Sequence, residues 1–168
     1  AIIMKAREHW FADEAAPARV DPPAVISRPP QYYHGWPPVA RRRGGQLVLV
    51  WSGGREGHVC PFGRVEMMVS NDAGQTWSWP RVLLDSGIDD RDAGVLETAK
   101  DSLLVTTFTS LAYVPILEAA VKKEAGTPGA LTPERLQSWR AAHGFLTAEQ
   151  RQAELGQWMI RSTDGGVT

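Results

Sequence analysis

The sequence predicts an all-β protein built from repeated sheet units and interrupted by one helical insertion. Three observations predict it. Short apolar runs rich in Val, Leu, Thr and aromatic residues recur between turns marked by Gly, Asp and Pro. Two segments share the pattern S-x-D-x-G-x-T, each directly after an apolar run. Between them, residues 110–156 lose the strand rhythm and take on helical composition.

Residues 1–33 form an extended N-terminal segment. Residues 1–20 are mixed, and Met4 to Trp10 suits either a helix or a strand. Pro22-Pro23, Pro29-Pro30 and Pro37-Pro38 follow. Proline fixes φ and removes a backbone donor, so this chain is irregular and extended. A first short strand is expected over 36–40. Gln46 to Ser52 is a compact apolar run between Gly44-Gly45 and Gly53-Gly54, which predicts a buried strand. Further strands are expected over Arg64–Ser70, Arg81–Leu84, Ala93–Glu97, Ser102–Thr109 and Gln157–Ser162. A turn is expected at Lys100-Asp101. Arg41-Arg42-Arg43 precedes Gly44-Gly45 and reads as a solvated turn.

The insertion is on the order of forty residues, a length that is uncommon without a function or structure of its own. Pro115 to Glu124 has helical composition, with Glu118 and Lys122 in the favourable i,i+4 order and Gly126 as a stop. Thr132-Pro133-Glu134 reads as N-cap, Pro at N1 and an acidic N2. Leu136 and Trp139 follow as an apolar i,i+3 pair, and Gly144 ends that helix. Thr147 and Gln150 stand at capping-box spacing.

Bulk composition sets limits. The 168 residues are 43% hydrophobic and 22% charged, with a formal net charge of −1. That balance argues against a nucleic-acid partner, which favours a basic excess. No apolar run reaches the roughly 18 residues a membrane helix needs. Cys60 is the one cysteine, so no internal disulfide is expected. No metal-ligand spacing appears, and no cofactor is expected. The start lacks the order of a signal peptide, and both ends read as cuts in a longer protein.

The repeated pattern carries the fold reading. Ser70, Asp72, Gly74, Thr76 and Trp77 spell S-x-D-x-G-x-T-W. Ser162, Asp164, Gly166 and Thr168 spell the same pattern without the tryptophan. Asp and Ser side chains bond nearby amides and hold a tight turn, and glycine supplies conformations closed to other residues. Trp77 is expected to cap the hairpin. An EF-hand loop does not fit, because further carboxylates and a terminal Glu are missing. The pattern resembles the Asp-box, or BNR repeat, of sialidase-like β-propellers. The resemblance implies an incomplete, six-bladed propeller of the sialidase type with under two blades present. Blade one spans 34–84 with its Asp-box at 70–77. Blade two spans 85–168, lacks its fourth strand, and carries the insertion 110–156 and the Asp-box 162–168.

In that family the Asp-box lies away from the substrate. Strand alternation then puts residues before 36, loop 53–63, loop 85–92 and the insertion on the functional face. The stretch from about 34 to 109, with 157–168, is similar to the start of a bacterial exo-sialidase. Leu49-Val50-Trp51-Ser52-Gly53-Gly54-Arg55 matches the strand that ends in a substrate-binding arginine, with Arg55 in that position. Gly35-Trp36-Pro37 stands where the family has an Arg-Ile-Pro element, so Gly35 replaces an arginine. The loop after Arg55 offers Glu56, His58 and Cys60 but no Asp. Asp92 matches the carboxylate at the start of blade two.

The resemblance implies a sialidase-like glycoside hydrolase acting on a terminal acidic or polyhydroxylated sugar. Asp92 is the catalytic candidate, or else a turn cap. Arg55, Asp90, Arg91 and His34 are the substrate-binding candidates, each also readable as a loop or turn residue. His58 reads more simply as a loop residue. The rival is a non-catalytic propeller that binds glycan or protein. A carbohydrate is the implied partner, and a secreted or periplasmic setting is the implied location. An uncovered sheet face predicts poor solubility.

Overall fold

A computed structural model describes residues 22–27, 31–123 and 127–168. The expectations for residues 1–20, Pro29-Pro30 and Gly126 fall outside those residues. Two antiparallel sheets stack face to face. The first contains β1 (Tyr33–Gly35), β2 (Val39–Arg41), β3 (Leu47–Arg55), β4 (Arg64–Ser70) and β5 (Arg81–Leu84). Its order is β1-β3-β4-β5, with β2 also paired to β3. The second contains β6 (Asp89–Glu97), β7 (Leu103–Ser110) and β8 (Gln157–Ser162), in the order β6-β7-β8.

The β-branched runs explain the stack. Val48 and Val50 of β3 and Val65 and Met67 of β4 point one way, and Ala93, Leu103 and Val105 meet them from the second sheet. Burying such a side chain contributes about 1.5–3 kcal/mol. Alternation sends Leu49, Trp51 and Met68 to the opposite face of the first sheet. There they line a hollow of about 430 Å³ with Ile26, Val39 and Trp77.

Strands β4, β5 and β8 have the expected bounds. Of the expected strand 36–40 only Val39 and Ala40 are strand, in β2; β1 precedes it, and Trp36 between the two takes a left-handed φ of 48°. Strand β3 runs on through Gly53-Gly54 to Arg55, and β6 begins early, at Asp89. The strand registers define two ends. Tyr33 pairs Arg55 and Asp89 pairs Ser110 at one end, called upper here. Leu47 pairs Ser70 and Leu103 pairs Ser162 at the other, lower end.

Both S-x-D-x-G-x-T turns occupy the lower end and fold alike. Ser70 Oγ donates to Asp72 Oδ1 at 2.8 Å and accepts from the Gly74 amide at 2.8 Å. Asp72 Oδ1 accepts from the Thr76 amide at 2.8 Å, and Oδ2 accepts from Thr76 Oγ1 at 2.5 Å. Trp77 Nε1 donates to the Gly74 carbonyl at 3.1 Å. In the second turn Ser162 Oγ donates to Asp164 Oδ1 at 2.6 Å and accepts from the Gly166 amide at 2.7 Å. Thr168 Oγ1 donates to Asp164 Oδ2 at 2.5 Å. Bonds from Thr76 and Ser70 hold the Asp72 carboxyl down to about 2. Ser162 and Thr168 lower Asp164 as well.

The basic run is the expected turn, with Arg41 and Arg43 exposed, and it also reaches the second sheet. Arg42 Nε donates to Glu97 Oε1 at 2.8 Å, and the Arg43 amide donates to Glu97 Oε2 at 2.8 Å. Arg81 donates to the carbonyls of Gly166 and Val167. These contacts clasp the two sheets together at the lower end.

The insertion leaves from the upper end as α1 (Val114–Lys122), α2 (Pro133–Gly144) and α3 (Ala148–Ala153). Thr132 caps α2 by accepting from the Arg135 amide, with Pro133 in the first turn. Thr147 and Gln150 complete both halves of the capping box of α3. Cys60, Tyr113, Leu117 and Trp139 form a second buried cluster that seats α1 and α2 on the β3–β4 loop.

Candidate functional site

Two bulges build the upper end. Strand β3 carries an extra residue opposite β1 at Gly53-Gly54, with Gly54 at φ 66°. Ser52 and Arg55 therefore both reach toward β6, although a regular strand would turn them to opposite faces. Strand β6 bulges between Arg91 and Gly94, and Asp92 takes φ 50° there. A non-glycine residue in that region carries strain, of which Asp is one of the more tolerant. The Asp92 amide donates to Ser52 Oγ at 2.9 Å, and its side chain is left exposed.

Beneath the surface lies an ion pair. Arg55 Nη1 donates to Asp89 Oδ1 at 2.5 Å and Nη2 to Asp89 Oδ2 at 3.1 Å. The same guanidinium donates to the carbonyls of His58 at 2.7 Å and Asp90 at 3.2 Å. Both side chains are completely buried. Burial pushes the Asp89 carboxyl above its usual range, and the Arg55 bonds oppose that shift. A bidentate pair with its remaining donors satisfied is the arrangement in which a buried ion pair is tolerated. The expected contact of Arg55 with substrate is thus corrected: its donors are spent on the protein and none of it is exposed.

Two further candidates are corrected. Asp90 is buried, and its carboxylate accepts from the Ser86 amide at 2.9 Å and from Ser86 Oγ at 2.7 Å. It caps the 85–88 turn rather than facing the cleft, and burial lifts its carboxyl to about 6. His34 turns into the hollow on the outer face of the first sheet, 5.9 Å from the Trp51 ring. Neither of its ring nitrogens has a hydrogen-bond partner among the described residues.

Arg91 lies at the upper end among aromatic rings, with 11% of its side chain exposed. Its Cζ lies 5.4 Å from the Trp36 ring centre and 6.0 Å from that of Phe108. Its Nη2 is 3.4 Å from His58 Nε2 and 3.4 Å from the His58 carbonyl. Its Nε is 3.7 Å from Asp89 Oδ2 and has no hydrogen-bond partner among the described residues. Trp36 packs edge-on to His58 at 5.0 Å, and Tyr33 lies 6.4 Å from His58. Rings facing a guanidinium stabilise the cation and fix its plane. Asp92 stands on the far side of Phe108, where both line a hollow of about 460 Å³ with Trp158 and Met159.

Of the sequence candidates, Arg91 lies in the Trp36–His58–Phe108 cluster, Asp92 lines the neighbouring hollow, Arg55 braces the cluster from below, and Asp90 and His34 lie elsewhere. Trp36 and Phe108 are members the sequence did not single out, and His58 is one it read as a loop residue. Phe108 looked like ordinary strand core, and only pairing across β6 and β7 brings it to Arg91. Among the described residues no group of three His, Cys, Asp or Glu side chains could hold a metal ion. Among them, too, no helix is long and apolar enough to cross a membrane.

No protein-family model matches the chain, and no curated protein matches it. Among solved structures, a protein of unknown function from Dyadobacter fermentans DSM 18053 is similar, with a TM-score of 0.55 and 20% identity. The match covers 86% of this chain and 36% of that one, so this chain spans about a third of its length. At that identity the likeness is one of fold.

Proposed function

We propose that this chain is part of a sialidase-type β-propeller whose upper cleft binds an acidic sugar, in the manner of a sialidase-like glycoside hydrolase. The observation that carries the reading is the Arg91 guanidinium framed by Trp36, Phe108 and His58, with the exposed Asp92 lining the hollow on the other side of Phe108. The two Asp-box turns at the opposite end of the sheets support it. An arginine fixed by flat rings suits a carboxylate, which it can grip with paired N–H donors. The rings offer faces to the apolar side of a pyranose. Asp92 supplies an exposed carboxyl that could protonate a leaving oxygen when a bound sugar excludes water.

The second reading is a binding propeller without catalysis. It is favoured by the engagement of Arg55 with Asp89, which leaves Arg91 as the cleft arginine. Binding and turnover separate the two. Calorimetric titration with the methyl α-glycoside of sialic acid, methyl glucuronide and methyl galactoside should rank the acidic sugars above the neutral one. Arg91→Met should remove at least tenfold of that preference. Equal affinity for all three sugars would end the acidic-sugar reading. Release of a fluorescent aglycone that is lost in Asp92→Asn would favour the hydrolase; binding without release would favour the binding module.

A further inference from the structure

We propose that Glu56 is a positioning residue that ties the helical insertion to the cleft and sets the placement of His58 beside Arg91. It rests on the acidic-sugar reading for its binding consequence alone. The Glu56 Oε2 atom accepts two hydrogen bonds from α2: from Trp139 Nε1 at 3.0 Å and from Arg135 Nε at 3.0 Å. Trp139 is a fixed anchor, 2% exposed and packed with Cys60, Tyr113 and Leu117. Arg135 is a looser one, with 44% of its side chain exposed.

Glu56 adjoins Arg55 in sequence, and the two side chains hold the β3–β4 loop from opposite directions. Arg55 takes the carbonyls of Gly57 at 3.3 Å and His58 at 2.7 Å from inside. Glu56 fastens the start of the same loop to α2 from outside. The loop next presents His58, whose ring meets Trp36 at 5.0 Å and whose Nε2 is 3.4 Å from Arg91 Nη2. His58 is itself exposed, so its placement comes from the backbone on either side of it. Removing the outer tie leaves the Arg55 bonds to hold a loop whose glycine, Gly57, adds backbone freedom. The insertion thereby acts on the cleft without lining the Arg91 cluster.

The test uses Glu56→Ala and Glu56→Gln in the full chain, each checked for native circular dichroism and melting. His58 is followed by its ring proton resonances, assigned by loss of signal in His58→Gln. At 5.0 Å from the Trp36 ring those protons sense its ring current, so displacement reads as a shift. Glu56→Ala should move the His58 resonances toward those of a free histidine and weaken binding of methyl α-sialoside about tenfold. Glu56→Gln keeps an acceptor oxygen for Trp139 Nε1 and should hold both near the native values. An unmoved His58 signal in a folded Glu56→Ala protein would overturn the proposal, as would equal displacement in both variants. If Glu56→Ala does not fold, Trp139→Phe, which keeps the packing and removes the donor, is read in the same way. A His58 shift in a protein whose native form binds none of the sugars sinks the acidic-sugar reading and leaves the positioning role standing.

Discussion

At the scale of single residues, the Arg55–Asp89 pair is packed against a position without a side chain. A Cβ at Gly63 would stand 2.1 Å from Asp89 Oδ1 and 2.3 Å from Arg55 Nη1. Both atoms belong to a buried pair with no room to retreat. Gly63→Ala should therefore cost about 3 kcal/mol or more, the size expected when a buried ion pair is broken, read as a fall in the urea midpoint. Asp92 is the opposite case. Its φ of 50° is one that glycine adopts freely. Asp92→Gly should leave the melting temperature within a few degrees of native, while a β-branched Asp92→Val should cost about 1–2 kcal/mol. A large loss of stability in Asp92→Gly would show that the Asp92 carboxylate has a folding role. Asp90 adds a pH dependence. Its folded-state carboxyl titrates at about 6 because it is buried, against an ordinary value of 3.8. The folded protein thus binds the extra proton between those values, and this site's contribution falls as pH rises through them. The full effect is on the order of 3 kcal/mol. Urea midpoints measured from pH 4 to pH 7 should fall less steeply in Asp90→Asn than in the native protein.

Elements differ in how far their causes lie along the chain, and that decides what the sequence reveals. The S-x-D-x-G-x-T turns and the caps of α2 and α3 were legible because donor and acceptor sit within four residues of each other. Ser70 to Gly74, Asp72 to Thr76 and Thr147 to Gln150 are all such pairs. The start of β6 and the end of β3 were not legible. Asp-Asp-Arg-Asp and Gly-Gly-Arg have poor strand composition, and they are ordered by partners such as Asp89 for Arg55, 34 residues away. The turn at Arg41-Arg42-Arg43 was legible, but the bond from Arg42 was not, since Glu97 lies 55 residues on. The cleft was half legible: Asp92 and Arg91 came from resemblance, whereas Trp36 and Phe108 join only through tertiary pairing. Local bonding also fixes how these two turns meet acid. Asp72 is held down to about 2 in the folded state, so its stabilising contribution is complete above an ordinary carboxyl value near 4. That contribution is lost as pH falls from about 4 through 2, the reverse of the Asp90 trend and in a lower window. The indole N–H resonance of Trp77, assigned by its loss in Trp77→Phe, should report the first turn opening in that interval. Ser70→Ala, which removes one of the bonds to Asp72, should move the opening to higher pH; an unchanged midpoint would show that Thr76 alone holds the carboxylate.

The whole molecule raises a problem that neither residues nor strands resolve alone. A two-sheet stack normally buries its inner faces and shows polar outer ones. Here the outer face of the first sheet carries a hollow over the buried Trp51 and Met68, with Val39 58% and Ile26 40% exposed around it. The outer face of the second carries Leu96 at 49% and Met159 at 67% exposure, with Trp158 nearby. Apolar patches on both outer faces are what the propeller reading requires, because each blade in a ring is covered on two sides. A self-sufficient sandwich has no use for them, and such patches promote association. The chain on its own should therefore bind a hydrophobic dye and associate as its concentration rises, seen by light scattering after gel filtration. Val39→Lys with Met159→Lys should lower both signals while leaving the inner layer of Val48, Val50, Val65 and Val105, and hence the melting temperature, unchanged. Dye binding that survives the double substitution would place the sticky surface elsewhere. A native chain that stays monomeric and binds no dye would mean these faces are content in water, and the argument for further sheets on either side would lose its physical basis.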